Sequence, residues 1–176
     1  TIVEECLYFC DINPTNIFIC KLLIDPDNKY ELNYNEGNTL ELDIKDKWNI
    51  DGFDAVIGNP PYESQNATGD NKLYLEFTKY TIDILYEKGI LLFITPTTII
   101  DYIIKMDKNR NYLDKFYDIE YIALNTPKKY FTVNSTFTYF MLKKQNYTGD
   151  TIIEHYEGID VIILKKGMEL PKRPSK

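Results

Sequence analysis

One stretch of ten residues, 53–62 (FDAVIGNPPY), constrains the fold of this chain more than any other part of the sequence. Its first half is a short apolar run of the kind that parallel sheets bury on both faces. Gly58 interrupts the run, and Pro60-Pro61 prevents both a helix and further strand pairing. The sequence therefore predicts a buried strand that ends in a stiff polar loop, at the sheet edge where open α/β folds bind ligands.

The loop offers the groups that a planar base with an exocyclic amine requires. The side-chain oxygen of Asn59 and the carbonyl of Pro60 can accept the two N–H bonds of such an amine. Tyr62 can stack on the ring, an interaction worth roughly 1–3 kcal/mol per base. Two acceptors that hold the amine hydrogens out of the ring plane would localise the nitrogen lone pair. The amine could then attack a methyl donor directly, through positioning and electrostatics alone.

The run Asn59-Pro60-Pro61-Tyr62 after a hydrophobic strand resembles the catalytic motif of the amino-methyltransferases that use S-adenosylmethionine. This family includes the N6-adenine DNA methyltransferases and a few protein-glutamine and RNA relatives. The resemblance implies that these four residues are catalytic and that Asn59 also lies at the cofactor. Over roughly residues 1–145 it implies an α/β fold, the Rossmann-like class I methyltransferase sheet with helices on both faces.

A first cofactor-binding residue is predicted near the start of the chain. Leu7–Cys10 is an apolar strand that ends at Asp11, and Asn13-Pro14 predicts the cap and first residue of a helix that runs to Ile24. Nucleotide-binding sheets hold a ribose with an acidic residue between a strand and a helix. Asp11 is therefore the candidate for the ribose hydroxyls of S-adenosylmethionine, with an ordinary loop carboxylate as the alternative.

A second cofactor contact rests on the resemblance. Residues 39–42 alternate like a strand and end at Asp43. In the family that the chain resembles, an acidic residue at this place contacts the adenine amine of the cofactor. Asp43 is favoured for this role because it directly follows the predicted strand, and Asp46 is the alternative.

Basic and aromatic residues are combined later in the chain. Lys128 and Lys129 are followed by Tyr130 and Phe131, a pattern suited to phosphate contacts and base stacking. The resemblance implies that Phe131, just before a β-rich run, forms the second wall of a pocket for a flipped adenine. A strand-edge core aromatic is the alternative role of Phe131, and Tyr130 is the alternative stacking residue.

The remaining patterns predict further elements. A helix is expected from Leu73 to Gly89, and others over residues 98–105 and 111–117. Strands are expected over residues 90–95, 119–124 and 136–142, with two short strands after Gly149. The expected domains are a partial catalytic domain over residues 1–148 and the start of a C-terminal extension or linker over residues 149–176.

The family's Gly-rich turn, which follows its first strand and holds the methionine end of the cofactor, does not occur in the sequence. The chain is therefore expected to be an N-terminally truncated fragment that lacks the first strand of the sheet. We expect weak or absent cofactor binding by the fragment alone, although the catalytic residues are present. A missing N-terminal segment and a DNA-recognition domain of the same polypeptide would complete the enzyme.

Composition limits the other function classes. The net charge is −7, but residues 1–62 hold 12 acidic and 4 basic side chains, so the excess of acid lies there and the rest of the chain is nearly neutral. This distribution is compatible with a DNA partner without indicating one. The three cysteines lack paired metal spacing, so no metal site is predicted and they are interpreted as reduced core residues of a cytosolic, cytoplasmic protein. No apolar run is long enough to span a membrane.

The sequence therefore favours an N6-adenine DNA methyltransferase of the restriction–modification group, acting on duplex DNA with S-adenosylmethionine. Extruding the target base costs a few kcal/mol, which stacking on Tyr62 and Phe131 would offset. A protein-glutamine methyltransferase is one alternative, because a glutamine side chain also presents an NH₂ group. A non-catalytic lobe that binds nucleic acid is the other, and the intact set Asn59 to Tyr62 argues against it.

Overall fold

The computed structural model describes residues 1–62, 72–105, 117–124, 137–155, 158–165 and 168. The chain divides into two units, Thr1–Asp51 and Gly52–Lys176. The predicted mixed α/β architecture is confirmed, since helices and parallel strands occur in both units.

The first unit is built around two parallel strands. Its elements are α1 (Ile2–Glu5), β1 (Tyr8–Asp11), α2 (Pro14–Ile24), β2 (Asn33–Glu36), a 3₁₀ helix (Thr39–Glu41) and α3 (Ile44–Trp48). In the β1–β2 pair, Asp11 lies opposite Glu36. The predicted start of α2 is confirmed, because the Asn13 side chain accepts a hydrogen bond from the Thr15 amide at 2.9 Å and Pro14 is the first helical residue.

The prediction of a strand over residues 39–42 is wrong. Side chains that bond to the nearby backbone favour turns over strands here: Asn38 accepts a hydrogen bond from the Leu40 amide at 3.1 Å and donates one to Glu41 at 2.8 Å. The strand lies earlier, at β2. Tyr34 anchors it, because its ring stacks on Phe9 of β1 with centroids 5.9 Å apart.

In its described residues, the second unit is a six-stranded sheet with two helices. Its elements are β3 (Phe53–Gly58), α4 (Leu73–Ile84), β4 (Leu85–Pro96), α5 (Thr98–Lys105), β5 (Tyr117–Ala123), β6 (Phe137–Asn146), β7 (Asp150–His155) and β8 (Gly158–Ile163). The strand order is β3-β4-β6-β5-β7-β8. Strand β3 runs parallel to β4 and β5 runs parallel to β7, while β6 is antiparallel to both of its neighbours.

The core of this unit lies between the sheet and the helices α4 and α5. Alternate residues of β4 and β6 are buried, among them Leu91, Phe93, Phe140 and Leu142, in one cluster with apolar residues of both helices. Helix α4 ends at Ile84 rather than at the predicted Gly89.

Gly89 has a different role from the predicted helix stop. A Cβ atom at this position would lie 3.0 Å from the Phe53 carbonyl oxygen and 2.9 Å from that of Tyr86. Only a glycine therefore lets β4 approach β3 this closely.

The predicted strand before the polar loop is confirmed as β3, but its predicted burial is wrong. Ala55 is exposed, and the Ile57 residue is 76 % exposed. Within the part of the chain that the structure describes, Val56 packs against the core while the face of β3 that carries Ala55 and Ile57 is left uncovered, and β3 pairs only with β4. An apolar run indicates what a strand could bury, and its neighbours decide what it does bury.

The later predictions agree with the structure where it describes them. Helix α5 and strands β5 and β6 lie where expected, although residues 111–116 of a predicted helix are outside the described residues and Tyr117 belongs to β5. The two short strands after Gly149 are β7 and β8, and β7 extends the sheet by pairing with β5.

Two further predictions concern the cysteines and membrane-spanning segments. All three cysteines are free, but Cys6 is exposed and Cys10 and Cys20 are half-buried, so their predicted core location is wrong. None of the helices within the described ranges combines the length and the apolar character that crossing a lipid bilayer requires.

Candidate active site

The polar loop begins directly at the carboxyl end of β3. Gly58 lies opposite Phe93 of β4, and a Cβ atom at Gly58 would come within 3.0 Å of the Phe93 ring. The absence of a side chain at Gly58 therefore lets the loop leave the sheet tightly packed against β4. Asn59 is then exposed, whereas Pro60 is buried and fixes the backbone that follows.

The side chains of Asn59 and Tyr62 are joined by a hydrogen bond. The Tyr62 hydroxyl donates to Asn59 Oδ1 at a distance of 2.8 Å. An amide oxygen has two lone pairs, so Oδ1 keeps one for a further donor such as a substrate amine. Partial burial raises the pKa of the Tyr62 hydroxyl above its ordinary value, which keeps the hydroxyl protonated and able to donate. The sequence placed both residues in the site but did not reveal this bond.

An aromatic residue that the sequence analysis did not single out also belongs to the site. Phe137 is the first residue of β6 and lies opposite Pro96, the last residue of β4. Its ring contacts Tyr62, with the ring centroids 5.2 Å apart and the planes tilted by 39°. In the sequence, Phe137 follows the alternation of an ordinary strand residue. Its place beside the loop becomes visible only from the order of the strands in the sheet.

In the first unit, Asp11 lies at the carboxyl end of β1 as predicted. Its carboxylate accepts hydrogen bonds from the Asn13 amide at 2.7 Å and from Asn16 Nδ2 at 3.0 Å. Its backbone carbonyl accepts one from the Gly37 amide at 3.0 Å. Since a carboxylate offers about four acceptor positions, the oriented Asp11 keeps capacity for two hydroxyl groups. A ribose diol fits this donor-acceptor chemistry.

The structure places Asp43 at the start of a helix rather than at the end of a strand. Asp43 is the N-cap of α3 and accepts hydrogen bonds from the Lys45 and Asp46 amides at 2.9 and 3.1 Å. Strand β2 ends at Glu36, and Asn38 follows it two residues later.

The predicted DNA-contacting residues Lys128, Lys129 and Phe131, and the alternative Tyr130, lie outside the described residues. Their roles stay predictions.

Comparison with known proteins identifies related sequences and folds. The family model of the Eco57I restriction-modification methylase matches residues 5–149. No curated protein is similar enough in sequence to match the chain.

Solved structures share the fold at low sequence identity. A protein of Listeria monocytogenes assigned as a class I S-adenosylmethionine-dependent methyltransferase (lmo1582) is 16% identical, with a TM-score of 0.58 over 84% of this chain and 48% of its own. The type I restriction enzyme EcoKI M protein is 15% identical, with a TM-score of 0.58 over 86% and 35%. The type IIG restriction endonuclease BpuSI is 14% identical, with a TM-score of 0.58 over 83% and 20%. The chain thus has the class I methyltransferase fold and spans less than half of each of these proteins.

Proposed function

Because the chain belongs to the Eco57I restriction-modification methylase family, we propose that it carries the catalytic loop of a DNA methyltransferase. The proposed reaction moves a methyl group from S-adenosylmethionine to the N6 amine of adenine within a restriction–modification system. The observation that carries this proposal is the loop after β3, in which an exposed Asn59 amide oxygen is held by Tyr62.

Each residue of the loop has its own proposed role. Asn59 Oδ1 and the Pro60 carbonyl accept the two amine hydrogens, and Pro61 keeps the loop rigid. Drawing these hydrogens out of the ring plane makes the nitrogen lone pair available for attack, and the acceptors are in place before the substrate arrives. Tyr62 stacks on the base. No covalent enzyme intermediate is required, because the amine itself is the nucleophile.

The proposed cofactor residues lie in the first unit, and the cofactor supplies the methyl group when bound. Asp11 would hold the ribose hydroxyls, which the two remaining acceptor positions of its carboxylate support. Asp43 remains the proposed contact to the adenine amine of the cofactor. Asn38, which follows β2 closely, is a second candidate for that contact because its side-chain oxygen is also an acceptor.

Duplex DNA is the proposed partner, with the target adenine flipped out of the helix to reach the loop. Lys128 and Lys129 would contact phosphates, and Phe131 would form the second wall around the base. Recognition of a specific DNA site would require further segments of the polypeptide. Of the three solved structures compared above, this chain covers only 48%, 35% and 20%, which supports that requirement.

The experiment follows label from S-adenosylmethionine carrying a radioactive methyl group. The native polypeptide that carries this chain is incubated with duplex DNA, which is then digested to nucleosides. Label in N6-methyldeoxyadenosine is expected. Label in a cytosine product, or only in a glutamine of a protein partner, would refute the adenine assignment. The absence of any transfer from a protein that binds DNA would refute the enzymatic role.

A further inference from the structure

Strand pairing holds Phe137 at the end of the sheet where the loop after β3 begins, so its position does not depend on that loop. Strand β6 pairs with β4 from Phe137↔Pro96 to Lys143↔Ile90, and its other edge pairs with β5. A strand paired on both sides is among the most rigid parts of a fold. Phe137 itself pairs with Pro96 of β4, and the pairing with β5 begins two residues further on, at Tyr139, so the half-buried Phe137 ring lies at the start of a firmly held strand, beside the residues that follow β3.

The loop residue that meets this surface is Tyr62. The centroid distance of 5.2 Å lies within the favourable range for aromatic pairs, so the contact stabilises one orientation of the tyrosine ring. The same ring places its hydroxyl on Asn59 Oδ1 at 2.8 Å. Two contacts of the Tyr62 side chain, one through its ring and one through its hydroxyl, thus link β6 to the exposed amide of Asn59.

The two rings are already in direct contact, so no base can lie between them. A base must use a part of Tyr62 that Phe137 leaves uncovered. This separates Phe137 from the role predicted for Phe131, which is a wall that touches the base.

We propose that Phe137 is a positioning residue, which supports Tyr62 and thereby sets the orientation of the Asn59 amide toward the substrate amine. The inference rests on the proposed function for its catalytic consequence. The contact itself is independent of the reaction. Loss of the Phe137 ring leaves Tyr62 free to rotate, so Asn59 loses its hydrogen-bond donor for part of the time.

The first test compares Phe137→Ala and Phe137→Leu with Met141→Ala. Met141 is a half-buried residue of the same strand that has no role in the site, so its truncation reports the general cost of weakening β6. Circular dichroism at the assay temperature shows which variants are folded, and Phe137→Leu retains most of the apolar volume.

The expected result is a fall in kcat of roughly threefold to tenfold for both Phe137 variants, the range set by one aromatic pair. KM for S-adenosylmethionine should stay unchanged, Phe137→Tyr should restore kcat, and Met141→Ala should match the wild type. In a Tyr62→Ala background, Phe137→Ala should have no additional effect. Equal losses in both backgrounds, or no more loss than in Met141→Ala, would overturn the proposal.

A second test does not depend on methyl transfer. Tyr62 is replaced by 3-fluorotyrosine, and its ¹⁹F resonance is recorded without DNA. The resonance should shift in Phe137→Ala and Phe137→Leu but not in Met141→Ala. An unchanged resonance would overturn the proposal even if the enzyme methylates adenine. A shifted resonance in a protein that transfers no methyl group would leave the contact established and refute the proposed function instead.

Discussion

At the scale of single residues, the hydrogen bond from Tyr62 to Asn59 is the feature on which the chemistry depends. An amide oxygen can accept a substrate N–H only if it points toward the substrate, and a free Asn side chain rotates. The bond at 2.8 Å removes that freedom while leaving one lone pair available.

Removal of the Tyr62 hydroxyl should therefore slow the reaction without weakening base stacking. We expect Tyr62→Phe to lower kcat roughly threefold to tenfold, as one hydrogen bond allows, with an unchanged Kd for DNA. The ratio of wild-type to variant kcat should be constant from about pH 6 to 9. Burial raises the Tyr62 pKa above 10.0, so the contribution of the hydroxyl is present below that pH and is lost only as the pH rises through the raised pKa. A ratio that falls between pH 6 and 9 would contradict this.

The sequence predicted the chemistry of Asn59, Pro60 and Tyr62, because their acceptors and ring are properties of the side chains themselves. It did not predict the role of Phe137. The contact of Phe137 with Tyr62 joins two residues that are separated by 74 residues of chain. Contacts of this range depend on topology, which alternation within one strand does not encode.

Among the helices and strands, β6 contacts the C-terminal end of helix α4 in addition to carrying Phe137 beside the loop that follows β3. Lys144 Nζ donates hydrogen bonds to the carbonyl of Leu85 at 2.6 Å and to that of Asp83 at 3.2 Å. Carbonyls at a helix end lack partners within the helix and carry partial negative charge, so an ammonium group is well placed there.

Lys144→Met should lower the free energy of unfolding by about 1–2 kcal/mol, because both carbonyls lose a charged donor. Urea unfolding followed by circular dichroism measures this change. The control is Lys143→Met, since Lys143 forms an ion pair with Glu120 at 3.6 Å at a partly exposed site. A surface pair of this kind is worth less than about 1 kcal/mol. Equal losses from the two variants would show that Lys144 does not support the helix end.

Element boundaries were predictable where one dominant local signal exists and not where local signals compete. Asn13-Pro14 defined the start of α2 because cap and proline preferences coincide. Residues 39–42 alternate like a strand, yet Asn38 caps a 3₁₀ helix that residues 39–41 form, and Asp43 caps α3 directly after them. The side-chain caps outweighed the alternation.

At the scale of the whole molecule, the strands differ in how many neighbours they have. In the part of the chain that the structure describes, β4 and β6 are paired on both sides, whereas β1 and β2 pair only with each other. Buried and doubly paired backbone opens least often.

Native-state hydrogen exchange should reflect this difference. We expect the amides of β4 and β6 to exchange slowest and those of β1 and β2 to exchange at least tenfold faster, as local opening of a two-stranded pair requires less free energy. Mass spectrometry of peptic fragments provides the measurement. Equal protection of the two pairs would mean that Thr1–Asp51 and the larger unit open as one cooperative body.

The fold class followed from the sequence because the strand, the polar loop and the helix patterns agree with one another. The burial of β3 did not follow, because Ala55 and Ile57 have the composition of a buried strand while the face of β3 that carries them is exposed. Whether a face of β3 is covered depends on the elements that pack against it, and the sequence of one strand does not specify these.

The proposed role of Asn59 can be measured as methyl transfer to adenine in duplex DNA by Asn59→Ala, compared with the wild type. Asn146→Ala is the control, an exposed asparagine at the end of β6. We expect Asn59→Ala to lower kcat/KM by about 100-fold or more, as the loss of one preorganised polar group commonly does, with unchanged Tm and DNA binding. Asn146→Ala should retain full activity. An Asn59→Ala enzyme that methylates adenine within threefold of the wild-type rate would show that Asn59 does not activate the amine.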